Sequence, residues 1–325
     1  MNSLYNKSLE SFLIAHATEL DLSSVVKDIV ASCVDIAHTL SRSTIEGLTG
    51  AVAQVNSSGE TQKQLDLLSN QILKDKLALN KSVKYIASEE EDNVVCAAPK
   101  GKFAVAFDPL DGSTNIDVNG AVGTIFSVLP ALDSASPEAS LLQSGSRQLC
   151  AGYVLYGPAT QLVITFGNGT YVFTLNTDAN LFMLTHQRAS IAKETSEFAV
   201  NMANTRHWKR EFSNYIQHLL DGCSGPRQKR YNMRWAGAMV ADIHRVICRG
   251  GIFLYPSDTR AKLASGKLRL IYEANPMALI IENCGGSAFN ESTSLLSLVP
   301  TSLHQKVPVI AGSTNEVHRC LNYLE

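Results

Sequence analysis

The spacing of apolar residues changes character near residue 80. Over residues 8–46, Leu22, Val25, Val26, Ile29 and Val30 recur at helical spacing, Val34 and Ile36 extend the stripe, and the pattern predicts helix. "GLTGAVAQVNSSGETQ", residues 47–62, breaks it with Gly47, Gly50, Ser57, Ser58 and Gly59, which predicts a mobile loop; residues 60–79 predict a second helix. From Val83 the texture is that of strands: "VKYIAS", "GKFAVAFD", "VGTIFSVL", "LCAGYVLYG", "ATQLVITFG" and "GTYVFTL", separated by Gly, Pro, Asp and Asn. Beyond about residue 190 the two textures alternate. "HWKREFSNYIQHLL" and "GAMVADIHRVIC" read as helices, "GGIFLYP" and "VPVIAGS" as strands. In "YEANPMALIIENCGG", Pro276 either opens a helix after an Asn275 cap or kinks one that began earlier. Two layered halves are expected, residues 1–190 with helices and a sheet, and residues 191–325 as a smaller α/β unit.

Composition narrows the partners. The 325 residues are 45% hydrophobic and carry 28 Lys plus Arg against 30 Asp plus Glu, a net charge of −2. Such a balance gives no reason to expect nucleic acid or an anionic membrane as partner. Seven cysteines, widely spaced and without C-x-x-C, suit free thiols in a reducing compartment. No secretory signal or membrane-length apolar run is read, so a cytoplasmic protein is expected.

The candidate chemistry is acidic. There is no G-x-G-x-x-G, no H-E-x-x-H and no complete P-loop. Instead "IASEEED" ends one strand with Glu89 and Glu90, and "FAVAFDPLDG" ends another with Asp108 and Asp111. If those strand ends are neighbours, four carboxylates meet, and only cations can hold like charges together in a low-dielectric cleft. Oxygen ligands without His or Cys select magnesium or manganese. Gly112 permits the tight bend, and the amides of Ser113, Thr114 and Asn115 open a short helix suited to a phosphate. Separately, D-P-x-D-G and S-E-E-E-D are also ordinary solvated turns; together, each straight after an apolar strand, they point to a site.

At these residues the chain resembles the class I fructose-1,6-bisphosphatases, within the lithium-sensitive, magnesium-dependent sugar and inositol phosphatases. "FDPLDGSTNID" carries the superfamily; "LDLLSN", "ASEE", "VGTIF", "GGIFLYP" and "GKLRLIYEANPMA" carry the family, in its order. The resemblance implies the layered sugar-phosphatase fold of alternating α/β/α layers with two α/β halves. It implies magnesium-dependent hydrolysis of fructose 1,6-bisphosphate to fructose 6-phosphate, with manganese as a substitute. By position, Glu89, Glu90, Asp108, Asp111, Glu273 and the Leu110 carbonyl become metal-site groups. Adjacent glutamates of a strand face opposite ways, and Glu90 is the family's choice for the proton of the attacking water. Glu60 and Asp66 match assisting acids, although an aspartate is common at the position of Glu60. Asp111, Gly112, Ser113, Thr114 and Asn115 are expected at the substrate. Asn201, Arg234, Tyr255 and Lys267 match positions around the sugar and its far phosphate, with Asn204, Trp235 and Met239 beside them. Trp235 stands where tyrosine is frequent, and Arg269 matches a basic residue near the metals. Arg234 in this family enters a neighbouring subunit's site, which implies a homo-oligomer, usually a tetramer.

Departures concern regulation. The family's Thr-Gly-Glu-Leu-Thr loop for AMP is replaced by "ELDLSS"; Lys102 is kept, Phe103 replaces a tyrosine and Pro130 an arginine. Weak or absent inhibition by AMP is expected. Only Cys150 lies near the plastid redox insertion, so no thiol switch is expected. The rival readings are a sedoheptulose-1,7-bisphosphatase or dual enzyme, an inositol monophosphatase, a catalytically dead homologue and an RNA-binding module resting on "RQKRYNMR" and "RHWKR".

Overall fold

Strand periodicity sets the layers. The computed structural model describes residues 7–16, 18–49, 51–55, 61–133 and 136–325. The N-terminal helices are α1 (Leu9–Ala15) and α2 (Leu20–Arg42), followed by β1 (Ala51–Val55), β2 (Thr61–Lys63) and α3 (Gln64–Leu79). Then come β3 (Val83–Ser88), β4 (Val95–Cys96), β5 (Phe103–Asp111), β6 (Val122–Pro130), β7 (Cys150–Tyr156), β8 (Thr160–Thr165), β9 (Thr170–Asn176) and β10 (Leu181–His186). The remainder is β11 (Glu197–Val200), α4 (Arg210–Leu220), β12 (Asn232–Met233), α5 (Met239–Arg249), β13 (Ile252–Tyr255), β14 (Leu268–Arg269), α6 (Asn275–Asn283), β15 (Ser287–Phe289), β16 (Lys306–Val307), β17 (Val309–Gly312) and α7 (Thr314–Leu324).

Eight strands form one sheet in the order β10-β9-β8-β7-β6-β5-β3-β4, and within it only β3 and β5 run parallel. Successive side chains of a strand go to opposite faces. Cys150, Val154 and Tyr156 of β7 therefore join Phe12, Ile29 and Leu73 of the N-terminal helices. Ala151, Tyr153 and Leu155 join Ile243 of α5 and Ile280 of α6. The second sheet, β12-β11-β13-β17-β15, repeats the device. Phe253 faces the α5 and α6 layer, while Ile252 and Leu254 pack with Phe212 of α4 and Val317 of α7. The result is five layers: helix, sheet, helix, sheet, helix.

The strands expected from pattern are present, two local readings change and one open alternative is decided. The helical run of residues 8–46 is two helices, broken between Ala15 and Leu20. The second helix starts at Gln64, because Thr61–Lys63 pairs antiparallel with Ala51–Val55 inside the segment read as a loop. Gly50 and residues 56–60 lie outside the described residues. Pro276 sits within a helix that began earlier: a π-helical turn, Leu270–Ala274, runs straight into α6 with Asn275 in the right-handed region. β10 and β11 were not read, since β10 is a partly exposed edge strand and β11 has only four residues.

Candidate active site

The parallel pairing of β3 and β5 brings two acidic segments to one sheet edge. Ser88 is opposite Phe107, and the Glu89 N–H donates to the Phe107 carbonyl at 3.0 Å. Glu89 and Glu90 thus leave the sheet beside Asp108. The third glutamate is different: Glu91 is taken by Lys74 and by Asn70 Nδ2. Between Asp108, opposite Ile125, and Asp111, opposite Gly123, the register shifts. This bulge lets Pro109, which has no N–H, sit in a sheet interior without breaking a ladder bond. Thr124 Oγ1 donates to the Pro109 carbonyl at 2.9 Å, and Asp108 Oδ1 accepts from the Leu110 N–H at 2.9 Å.

Gly112 follows at φ 78°, where a β-carbon would lie 2.3 Å from that of Ala238. This close approach locks the turn at residues 112–115 against the start of α5. Val240 N–H donates to Asp111 Oδ2 at 2.8 Å, and Asn115 Nδ2 donates to the carbonyls of Ala121 at 3.1 Å and Ala236 at 3.0 Å. From the far side the π-helical turn delivers Glu273. Arg269, almost fully buried, pairs with Glu89 at 2.6 Å, and its own N–H donates to Glu273 Oε2 at 2.6 Å. Asp66 enters from the first turn of α3, where it accepts from the Lys63 N–H at 2.8 Å.

These groups line one cleft of about 370 Å³. It gathers Asp66, Glu89, Glu90, Asp108, Leu110, Asp111, Gly112, Ser113, Thr114, Asn115, Asn201, Trp235, Met239, Tyr255, Lys267, Arg269 and Glu273 from the expected set. Asn204 is beside it, in a narrow recess that shares Asn201, Tyr255 and Lys267 with the cleft, and its Oδ1 accepts from Arg260 at 2.9 Å. Arg234 is not in the cleft: it is exposed, lines a shallow recess with Glu197 and Arg245, and donates to the Met233 carbonyl at 3.1 Å. Glu60 lies outside the described residues. Sequence reading missed Asp242, whose carboxylate accepts from the N–H groups of Ala236 at 2.8 Å and Gly237 at 3.3 Å. An acid in the first turn of a helix is ordinarily read as complementing its dipole, so nothing in the sequence singled it out. Trp235, on the segment so held, stacks on Phe253 at 6.1 Å and leans on Tyr255 at 6.2 Å.

The electrostatics call for cations. Carboxylate oxygens of Asp108, Asp111 and Glu273 lie within 4.8 Å of one another, all three residues buried. Burial, then the charges of Glu89, Asp111 and Glu273, push Asp108 well above the carboxylate range. Burial and then Glu273 push Asp111 up to about 7, against the Val240 N–H. Burial chiefly, with Glu90 adding to it, pushes Asp66 up to about 7. Among the described residues the cleft lining holds no histidine or cysteine. All-oxygen donors, buried and mutually repelling, fit a hard divalent cation.

Comparison with known proteins decides the family. The chain matches the family model for the fructose-1-6-bisphosphatase N-terminal domain over residues 6–187 and that for the C-terminal domain over residues 191–325. The chain belongs to the fructose-1,6-bisphosphatase family. It is 51% identical to a class 1 fructose-1,6-bisphosphatase of Cellvibrio japonicus, over 94% of this chain and 95% of that one. It is 49% identical to that of Shewanella halifaxensis, over 98% and 96%. Among solved structures it resembles the holo form of Leishmania major fructose-1,6-bisphosphatase, with a TM-score of 0.93, 38% identity and 98% coverage of each chain. The T-state structure of the same Leishmania enzyme is similar with a TM-score of 0.87 and 36% identity. The layered fold is thus that of the fructose-1,6-bisphosphatases.

Proposed function

We propose that this chain hydrolyses the 1-phosphate of fructose 1,6-bisphosphate, giving fructose 6-phosphate and inorganic phosphate, with magnesium as its cation and manganese as a substitute. The observation that carries the reading is the convergence of Asp108, Asp111 and Glu273 carboxylates within 4.8 Å, beside the turn at Gly112. Residues that would hold the cations are these three, Glu89, Glu90 and the Leu110 carbonyl. When bound, the cations supply positive charge to the phosphoryl oxygens and to the departing sugar oxygen.

The rest of the chemistry belongs to the chain. Glu90 accepts the proton of the water that attacks phosphorus in line. Asp66, which burial holds at about 7, is poised to exchange a proton near neutral pH, with Glu60 assisting. The amides of Ser113 and Thr114 hold the phosphate being removed, while the Asn115 N–H closes the turn by donating to the Gly112 carbonyl at 2.8 Å. Arg269 keeps Glu89 and Glu273 in position. Asn201, Asn204, Tyr255 and Lys267 receive the far phosphate and the ring, with Trp235 and Met239 forming the apolar side. Arg234, directed away from its own cleft, serves a neighbouring subunit in a homo-oligomer, a tetramer by analogy with the family. In this reading residues 1–190 supply the cation site except for Glu273, residues 191–325 supply that carboxylate and most of the recognition, and the enzyme works in the cytoplasm in gluconeogenesis. Among the described residues no helix is long and apolar enough to cross a membrane.

Phosphate release from fructose 1,6-bisphosphate and from sedoheptulose 1,7-bisphosphate, each with magnesium, tests the assignment. A clear preference for the fructose substrate is expected. Equal turnover would make it a dual enzyme, and release from neither would refute the substrate.

A further inference from the structure

We propose that His244 and Cys248 of α5, joined by His186 at the end of β10, form a second metal site, for a thiophilic cation of the zinc class. The three line a cavity of about 320 Å³ walled by α5 and by the segment from His186 to Ser190, and this cavity shares no lining residue with the catalytic cleft. Residues four apart on a helix lie one above the other on the same face. His244 Nε2 stands 3.6 Å from Cys248 Sγ. Zinc at about 2.0–2.1 Å from nitrogen and about 2.3 Å from sulfur, with a tetrahedral angle, requires an N···S edge of about 3.6 Å. The pair already has that spacing.

A second observation concerns the other ring nitrogen. His244 Nδ1 lies 2.9 Å from the hydroxyl of Tyr153, a β7 residue that is fully buried. With Nδ1–H donating to that oxygen, the lone pair of Nε2 faces the thiol and the cavity, as for metal-ligating histidines oriented by an outer partner. Burial, then the nearby His186, hold His244 below its ordinary pKa, which favours the neutral, ligating ring. Cys248 is itself exposed, and partial desolvation of its thiol pushes it up. A raised thiol is a poor nucleophile at neutral pH, which argues against a reactive cysteine, whereas a bound metal displaces the proton outright. Arg188 shares the wall, but its side chain lies against Gly169. His186 lines the same cavity and is exposed; its ring nitrogens do not lie within 4.8 Å of both partners, so a turn of its side chain is needed to bring in the third ligand, the fourth position being left to water.

Cobalt(II) is the probe, added to the protein after removal of transition metals and in the presence of excess magnesium to occupy the oxygen site. One equivalent per chain is expected to give a thiolate-to-cobalt charge-transfer band in the near ultraviolet, which zinc abolishes by competition. Cys248→Ser removes the band, and His244→Gln and His186→Ala each weaken cobalt binding by at least about tenfold, as does Tyr153→Phe through the outer contact. Magnesium-dependent phosphate release and the far-ultraviolet circular dichroism of these variants stay at the wild-type level. Absence of the band in the wild-type protein, or its survival in Cys248→Ser, would overturn the site.

Discussion

The two walls of the cleft are built on opposite principles. On the acidic wall each group hangs from buried backbone: Asp108, Asp111 and Glu273 are 4%, 8% and 4% exposed, and strand ends, a bulge and a π-helical turn fix their directions. On the other wall Lys267 is exposed, and Asn201, Trp235 and Tyr255 are half-buried on loops and strand ends. Collecting negative charge needs immobile donors in a low dielectric, where each repulsion is strong enough to demand a cation. Recognising a charged sugar needs only that a few side chains reach it. The difference implies that the acidic wall governs turnover and the other wall governs affinity.

Substitution separates the two. Asp111→Asn is expected to lower kcat by about a thousandfold or more, the loss of several kcal/mol of charge stabilisation, with secondary structure intact. Lys267→Ala is expected to reduce kcat/KM by about 10–100-fold, carried by KM, as for a lost charge-assisted contact. If steady-state kinetics instead found the Lys267 loss in kcat, the division between the walls would fail. Asp242→Asn sharpens the picture, because Asp242 hydrogen-bonds the cleft backbone at Ala236 and Gly237, its charge adding only a lesser push to Asp111 behind burial and Glu273. Weakening those two bonds should raise KM by about three- to tenfold and leave kcat near its starting value.

The acidic wall also has a thermal signature. Asp66 and Asp111 sit at about 7 when folded and near the ordinary carboxylate value when unfolded, so between about pH 4 and pH 7 the folded chain binds more protons. Their contribution to stability is present at the acid end of that window and is lost as pH rises through about 7. Metal-free protein should therefore melt several degrees lower at the alkaline end than at the acid end, and magnesium should narrow the gap; a melting temperature that rises with pH would contradict this.

The smallest effect is expected from AMP. Lys102, the cation that the resemblance would assign to an AMP site, is already paired with Asp21 and Glu19. An internal acid stands where an anion's donors would be needed, so AMP should leave the rate unchanged. Inhibition at low micromolar AMP would show that the nucleotide outcompetes this pairing.

Legibility in the sequence follows the same division. The acidic wall could be read because Glu89, Glu90 and Asp108 to Asn115 are consecutive and each segment ends an apolar strand; parallel pairing of β3 and β5 then does the rest. What distinguishes Glu91 from its neighbours could not be read, because Lys74 and Asn70 reach it from α3. The contact of Gly112 with Ala238 joins residues far apart in sequence, and together with the Asp111–Val240 and Asn115–Ala236 bonds it ties the turn at residues 112–115 to the start of α5. Asp242 was hidden for a related reason: its partners are backbone N–H groups, which carry no residue identity. Likewise, Tyr153 is 91 residues from His244 in sequence, so the spacing of His244 and Cys248 on α5 had no visible meaning. Patterns decide strands with clean alternation, and fail for the edge strand β10, where Leu181 is half exposed.

The most direct test of the account is phosphate release from fructose 1,6-bisphosphate as a function of magnesium, in wild-type protein and in Asp111→Asn. Release should vanish in chelator, rise with magnesium to a plateau in the wild type, and stay about a thousandfold lower in the variant at every concentration. Release that survives chelation, or a variant that turns over at the wild-type rate, would mean that the converging carboxylates are not the catalytic centre.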